Sequence, residues 1–293
     1  MDREEVQAHS KIAFEKWKEL WLKNCDLNKN KIKTSLKDAV DLYKGKKAVL
    51  FAFGPSFKRN VEEFKSSKLF NDPDVVVGCV DKSFRPLVNL GVYPDFVLIA
   101  DGSVSTEYLE GVSPDAIKKA RLISNVYASP GWAEKWAKIS GAENIWWYLN
   151  KDNIEIKPGS KVGTAELFGP YVGYYDVIEA ASNVGNGLVV FCFKIFGIKE
   201  VYLCAYDYSW DYDNYYGVDN QISRKKMSLY AHLRPLDINC NLAFASTNMD
   251  FSSRWLDGYF DYVRMLYGGT VFNCTGAGML KKGIKLKINS THI

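Results

Sequence analysis

The alternation of short apolar segments with helix-like segments is the feature that most constrains the fold of this chain. The apolar segments are rich in β-branched and aromatic residues, and several are continuously apolar: 48–53, 75–80, 96–100, 121–126, 145–149, 201–206 and 270–273. Such segments are typical of strands buried on both faces, which are usually parallel. Helix-like segments separate many of them: 58–65, 82–90, 132–139, 187–196 and 253–266. The pattern predicts an α/β, Rossmann-like doubly wound fold with a mostly parallel sheet.

The front of the chain differs from this pattern. Residues 3–23 carry apolar side chains at helical spacing, and a second helix is predicted to begin at about Thr34. We therefore expect residues 1–45 to form an N-terminal helical extension that packs on a Rossmann-like domain of residues 46–293. The irregular stretch 208–250 is interpreted as a lid or an inserted subdomain of that domain.

Composition limits the classes of partner and compartment. Of the 293 residues, 47% are hydrophobic and 25% charged, as expected for a globular domain with a sizeable core. The net charge of +4 accompanies no nucleic-acid-binding motif, so a nucleic-acid partner is not expected. No apolar run approaches the ~20 residues of a membrane span, and no CxxC pair occurs. These features predict a cytoplasmic protein with reduced thiols. They leave its oligomeric state open.

The first predicted strand runs into Gly54, Pro55 and Ser56, which precede a helix. Ligands of open parallel sheets bind beyond the carboxyl ends of the strands. A helix N-terminus at that edge offers free N–H groups and a positive dipole end, which suit a phosphate group. An ordinary tight strand-to-helix turn explains the same residues equally well.

Two aspartates follow consecutive predicted strands, Asp81 after the second and Asp101 after the third. A carboxylate at a strand end can accept ribose hydroxyls or hold Mg²⁺, and it can equally cap the next helix. The occurrence of two such residues favours a nucleotide or metal site. Asp101 is the candidate metal ligand, and Mg²⁺ is the candidate ion.

Two further loops combine small and polar residues. Asn183, Gly185 and Asn186 precede a strongly apolar helix, where a phosphate or carboxylate could approach the backbone. A turn with a good helix cap is the alternative for this loop. Thr275 and Gly276 follow the last predicted strand, in another turn where a ligand could meet the backbone.

Two residues are candidates for acid–base chemistry besides Asp101. Asp207 ends the strand 201–206, and a run dense in tyrosine, tryptophan and aspartate follows at 208–216. That run is interpreted as a surface that stacks on a base or sugar, or as the packing of a lid. His232 lies in the interior of the chain, and its ordinary pKa of about 6.5 suits a general acid or base. A structural histidine is the alternative.

Several of these loops together resemble one family. The resemblance rests on residues 43–56, on 91–101, on 183–207 and on 272–278, taken in that order. The chain is similar to the MptE-like family, which includes archaeal 6-hydroxymethylpterin diphosphokinases and motility accessory factors linked to flagellin glycosylation. It more distantly resembles bacterial sialyltransferases that use CMP-sugars.

The resemblance implies a Rossmann-like fold and a nucleotide-linked substrate. It also implies a site lined by Gly54, Ser56, Asp81, Asp101, Asn183, Gly185, Asp207 and Thr275. The diphosphokinases carry an Asp-Leu-Asp-Gly segment followed soon by histidines. Here the matching segment, 99–102, reads Ile-Ala-Asp-Gly, and no histidine follows before His232.

The leading expectation is therefore a nucleotide-dependent transferase that moves a sugar from a nucleotide-activated donor. A Mg²⁺- and ATP-dependent diphosphokinase acting on a pterin-like alcohol is the second. A non-catalytic nucleotide-binding protein is the third.

Overall fold

The computed structural model describes residues 3–151, 153–157, 160–163, 169, 177–179, 183–210, 233 and 235–290. Within these residues, nine strands form one sheet in which every neighbouring pair is parallel. A separate antiparallel hairpin comprises β6 and β7. The strands are β1 Lys47–Phe51, β2 Val75–Val80, β3 Phe96–Ile99, β4 Arg121–Asn125, β5 Ile145–Lys151, β6 Asn153–Lys157, β7 Ser160–Gly163, β8 Val177–Glu179, β9 Glu200–Cys204, β10 Thr270–Asn273 and β11 Ile284–Lys285.

Helices connect most of the parallel strands, as the alternating pattern predicts. They are α1 Arg3–Asn28, α2 Phe57–Lys65, α3 Asp81–Asn89, α4 Pro114–Lys119, α5 Pro130–Ser140, α6 Val184–Lys194 and α7 Thr247–Tyr267. The Rossmann-like α/β class is thus confirmed. The strands and helices of this fold could be recognised in the sequence because continuous apolar runs and helical periodicity reflect burial in the sheet and on its faces.

The strand order, β11-β10-β9-β1-β2-β3-β4-β5-β8, contains one reversal. From β1 the chain builds outward to β5 and β8, then returns to place β9 on the other side of β1. The topological switch point therefore lies between β1 and β9. Ligands of doubly wound sheets bind beyond the carboxyl ends of the strands at such a point.

The second helix predicted from Thr34 is wrong. Residues Leu36–Ala39 form a single 3₁₀ turn, and Asp41 has a positive φ of 58°. The backbone N–H groups of Asp41 and Tyr43 instead donate to the carbonyls of Ile195 and Phe196, just past the end of α6. Tertiary hydrogen bonds to that helix end hold the segment in place of the local i→i−4 bonds of a helix.

An aromatic cluster fills the space between α6 and the sheet. Phe196 packs against the rings of Tyr43, Phe96, Trp146 and Phe191, with ring centroids 5.0–6.1 Å apart. The side chain of Phe196 is fully buried. Through Phe191, this cluster packs the C-terminal half of α6 against the sheet.

The expected lid, 208–250, falls partly outside the described residues, which omit 211–232 and 234. Its described part forms isolated antiparallel bridges, among them Trp210 with Phe244 and Leu233 with Ala245. Across the described chain, no helix combines the length and apolar character needed to cross a bilayer. All six cysteines are free.

Candidate functional site

The carboxylate of Asp207 lies at the switch point and is bound to the loop after β1. Its Oδ2 accepts hydrogen bonds from the Ser56 hydroxyl (2.7 Å) and the Ser56 backbone N–H (3.3 Å). A Cβ added to Gly54 would lie 2.0 Å from the same oxygen. Position 54 therefore requires glycine, because the Asp207 carboxylate occupies the space that a Cβ would need. Pro55 lies between Gly54 and Ser56 in the chain. It is half-buried, at the start of the turn into α2.

Two buried polar side chains extend this contact to β10. Asn60 accepts from the Ala205 N–H (2.8 Å) and donates to the Cys274 carbonyl (3.1 Å). Thr275 accepts from the Tyr206 N–H (3.0 Å). The loops after β1, β9 and β10 are thus tied together by side chains. We call Ser56, Asn60, Asp207 and Thr275 the switch-point lock.

The lock is sealed from solvent. Asp207 is 2% exposed, and burial raises its pKa to about 6, against the hydrogen bonds from Ser56 and the charge of Arg59. The Asp207 carboxylate accepts the Ser56 N–H, one of the groups that were predicted to be free for a phosphate at the N-terminus of α2. This arrangement favours a supporting role for the loop after β1. Gly276 follows Thr275 of the lock. Unlike the buried lock residues, it is exposed, and it has a positive φ of 69°.

Asn60 was missed by sequence reasoning. It lies inside α2, among residues read only as a helix, and is fully buried. The available signal was its position: Asn60 follows Ser56 by four residues, so both side chains lie on one helix face. That face also carries the buried residues Phe57, Val61 and Phe64.

Asp81 and Asp101 form a second, more open part of the carboxyl edge. Asp81 opens α3 directly after β2 and is 4% exposed, and its Oδ1 accepts the Lys82 N–H (2.6 Å). Burial raises the pKa of Asp81 to about 6, with the negative charge of Asp101 as a smaller cause. Asp101, after β3, is exposed, and its Oδ1 accepts the Ser103 N–H and hydroxyl, both at 2.8 Å.

The N-terminus of α6 lies at the same edge. Asn183 caps it by accepting the Gly185 N–H (2.7 Å), and the Tyr206 hydroxyl donates to the Gly185 carbonyl (2.9 Å). A Cβ added to Gly187 would lie 2.8 Å from Leu98 of β3. Gly187 therefore has a packing reason, the close approach of helix to strand. The start of α6 spans the space between the ends of β3 and β9.

Asn186 points into the fold. Its amide nitrogen donates to the Ser252 carbonyl (3.0 Å), and its oxygen accepts the Tyr208 hydroxyl. Tyr208 and Trp210 are 8% and 2% exposed, so these two residues of the aromatic run pack in the interior. The rest of that run, 211–216, and His232 lie outside the described residues.

A metal site was expected at Asp101. Among the described residues, no three histidine, cysteine, aspartate or glutamate side chains lie together as a metal-binding group. The pair of Asp81 and Asp101 fits the way Mg²⁺ binds beside nucleotides, where one or two carboxylates supplement phosphate oxygens and water. The residues thus fit an ion that arrives with a nucleotide.

Comparison with known proteins supplies the family. No curated protein matches the sequence. The solved structure of the MAf glycosyltransferase from Magnetospirillum magneticum AMB-1 matches with a TM-score of 0.63 at 16% identity. The match covers 94% of this chain and 39% of that chain, so this chain corresponds to well under half of the other protein. At that identity the likeness shows the fold alone.

A family model described as 6-hydroxymethylpterin diphosphokinase MptE-like matches residues 21–212. That range includes the lock residues Ser56, Asn60 and Asp207, the aspartates Asp81 and Asp101, and the start of α6. The family and the solved structure are described as a diphosphokinase and a glycosyltransferase, two kinds of transferase. Because the matched range spans well over half of its 293 residues, the chain belongs to the MptE-like family.

Proposed function

We propose that the protein transfers a sugar from a nucleotide-activated donor at the carboxyl edge of the sheet. One observation carries the proposal: α6 packs on β3 and begins at the edge where two neighbouring strands are followed by carboxylates. A helix N-terminus attracts phosphate, and carboxylates accept ribose or sugar hydroxyls. The family and the glycosyltransferase fold of the neighbour support a transferase of this kind.

The proposed roles follow from exposure. The start of α6, where Asn183 is exposed, faces the donor phosphates, and the inward-pointing Asn186 supports it. Buried Asp81 accepts donor hydroxyls, and exposed Asp101 accepts the proton of the acceptor hydroxyl. That hydroxyl attacks the anomeric carbon, the bond from this carbon to the phosphate oxygen breaks, and the nucleotide leaves with the electron pair. Asp207 holds the neighbouring loops through Ser56.

Mg²⁺ bound together with the donor would neutralise the negative charge of the donor phosphates. Asp101 is the carboxylate that would hold it, because it is exposed at the carboxyl edge and Ser103 donates both of its hydrogen bonds to Oδ1. The requirement for the ion distinguishes sugar transfer from diphosphate transfer, since ATP-dependent transfer relies on metal-bound phosphates.

Thermal unfolding with CMP, UDP, GDP or ATP, each with and without Mg²⁺, tests the proposal. A ligand at 100 times its dissociation constant stabilises the fold by about 2.7 kcal/mol. Stabilisation by CMP or a nucleoside diphosphate without Mg²⁺ supports sugar transfer. Stabilisation by ATP only with Mg²⁺ would replace it with diphosphate transfer, and no stabilisation by any nucleotide would end the proposal.

Asn183 offers a sharper test of the phosphate position. Asn183→Asp keeps a good helix cap, so stability should stay within about 0.5 kcal/mol, but it adds a negative charge beside the phosphates. We expect the dissociation constant of the stabilising nucleotide, measured by calorimetry, to rise at least about tenfold. Asn183→Ser, a neutral cap, is the matched control and should bind as the native protein does. Equal binding by both variants would move the phosphates away from α6.

A further inference from the structure

We propose that the N-terminal helix α1 is part of the active site. In this proposal Asn24 and Asn28 are positioning residues that hold the loops after β3 and β4 and thereby fix Asp101. The proposal rests on the proposed function for the role of Asp101. The contacts by which α1 holds the loops are hydrogen bonds of Asn24 and Asn28, and they do not depend on that function.

Asn24 lies on α1 and bonds to two loops that are distant in sequence. Its amide nitrogen donates to the carbonyls of Gly102 and Tyr127, both at 3.0 Å. These acceptors are 78 and 103 residues further along the chain. The side chain is 3% exposed. One buried amide therefore joins the loop after β3 to the loop after β4.

Asn28 repeats the arrangement one turn later. Its amide nitrogen donates to the carbonyls of Val126 (2.9 Å) and Ala128 (3.0 Å), and the side chain is fully buried. Residues four apart share one face of a helix. Trp21, on the same face, stacks on Tyr127 with ring centroids 4.4 Å apart and planes at 20°. This face of α1 therefore contacts the loop after β4 through two buried amides and one stacked ring.

Gly102 shows how closely α1 approaches Asp101. A Cβ added to Gly102 would lie 3.1 Å from the Asn24 amide nitrogen and 3.3 Å from the Trp21 ring. Gly102 directly follows Asp101, whose own carbonyl accepts the Ser129 N–H (3.2 Å). The backbone of Asp101 is thus held from the α1 side and from the loop after β4.

The location of the four acceptors separates positioning from ordinary packing. The carbonyls of Gly102, Val126, Tyr127 and Ala128 all lie in loops at the carboxyl edge, and none belongs to a strand. A helix that only covered the core would need apolar contacts there. A buried amide nitrogen is costly unless it is paired, and the loop carbonyls supply acceptors for both amide nitrogens.

Hydrogen exchange and nucleotide binding test the proposal on the full chain. In Asn24→Ala we expect amide exchange to accelerate at least about tenfold in residues 101–105 and 126–129, because loop opening becomes easier. Exchange in β1 and β2 should not change. The dissociation constant of the nucleotide measured with Mg²⁺, the ion that Asp101 would hold, should rise at least about fivefold. Leu22→Ala, on the same helix but 41% exposed, is the matched control and should change neither quantity.

Gly102→Ala approaches the same contact from the loop and serves where Asn24→Ala fails to fold. It should give the same pattern of exchange and weaker binding. Unchanged exchange in both variants would overturn the hold of α1 on the loops. Faster loop exchange with unchanged nucleotide affinity would overturn the link to the site. Should the native protein bind no nucleotide, the proposed function fails, and exchange alone decides whether α1 positions Asp101.

Discussion

At the scale of single residues, Gly54 and Asp207 depend on each other. The loop after β1 lacks a side chain at Gly54, and the Asp207 carboxylate occupies that space while accepting two hydrogen bonds from Ser56. A small residue beside a strand end is thus explained by a carboxylate from the same chain. The pair joins the two strands that flank the switch point.

Gly54→Ala should destabilise the protein because the new Cβ would lie 2.0 Å from the Asp207 carboxylate. We expect a loss of about 2–4 kcal/mol in the free energy of unfolding, measured by urea denaturation. Gly258→Ala is the control, since nothing lies within 4 Å of its added Cβ inside α7. That variant should gain up to about 1 kcal/mol from helix propensity. Equal stability of the two variants would contradict the close contact.

Asp207 should also make stability depend on pH. Burial raises its pKa from 3.8 to about 6, so the folded chain binds this proton more tightly than the unfolded chain. The stabilisation is complete below about pH 4 and is lost as the pH rises through about 6. Asp207→Asn should remove this part of the decline, at most about 3 kcal/mol.

Chemical denaturation at pH 4, 5, 6 and 7 measures this effect. Asp81 keeps its own contribution in the Asp207→Asn variant, because its pKa is also about 6. Asp115→Asn, an exposed change on α4, controls for the general effect of removing one carboxylate. A profile of Asp207→Asn parallel to that of the native protein would show that Asp207 titrates normally.

At the scale of elements, helix ends and not helix bodies build the carboxyl edge. The N-terminus of α6 is capped by Asn183, and that of α7 is capped by Ser246, whose hydroxyl accepts the Met249 N–H (3.2 Å). The C-terminal half of α1 brings Asn24 and Asn28 to the neighbouring loops. Each element is therefore positioned by a few polar contacts at its end and by apolar packing along its length.

Ser246→Ala should lower the free energy of unfolding by about 1 kcal/mol, because the first turn of α7 loses its cap. Ser246→Asp should restore most of that loss, since aspartate caps well and its charge suits a helix N-terminus. Urea denaturation of the three proteins measures both effects. A full loss in the Asp variant would mean that the hydroxyl serves another contact.

At the scale of the whole molecule, the aromatic cluster around Phe196 unites the sheet, α6 and the segment before β1. Its members come from residues as far apart as Tyr43 and Phe196. Long-range contacts of this kind make unfolding cooperative, because no element keeps its packing when the cluster opens.

Phe196→Ala should cost about 3–5 kcal/mol, the usual loss for a large buried ring. Unfolding followed by far-UV circular dichroism and by tryptophan fluorescence should keep coincident midpoints if the cluster belongs to one cooperative unit. Tyr93→Ala, at a 47% exposed position, is the control and should change stability by less than about 1 kcal/mol. Separate midpoints in Phe196→Ala would indicate that α6 unfolds independently.

By itself the sequence determined the class of fold and the positions of most core strands and helices. Strands 75–80 and 270–273 have the predicted bounds, and α2 and α3 begin one residue before the predicted positions. These elements are readable because apolar runs and helical periodicity are local records of burial. The polar loops at strand ends could also be predicted to meet, because topology brings the carboxyl ends of parallel strands to one edge.

Only the tertiary structure decided which residues meet. The pairing of Asp207 with Ser56 spans 151 residues, and that of Asn24 with Tyr127 spans 103. Neither has a local signature, because each side chain alone fits a cap or a surface position. The segment after Thr34 follows the end of α6 for the same reason: distant hydrogen bonds outweigh local helix propensity. Local patterns fix elements, whereas contacts between distant residues fix the site.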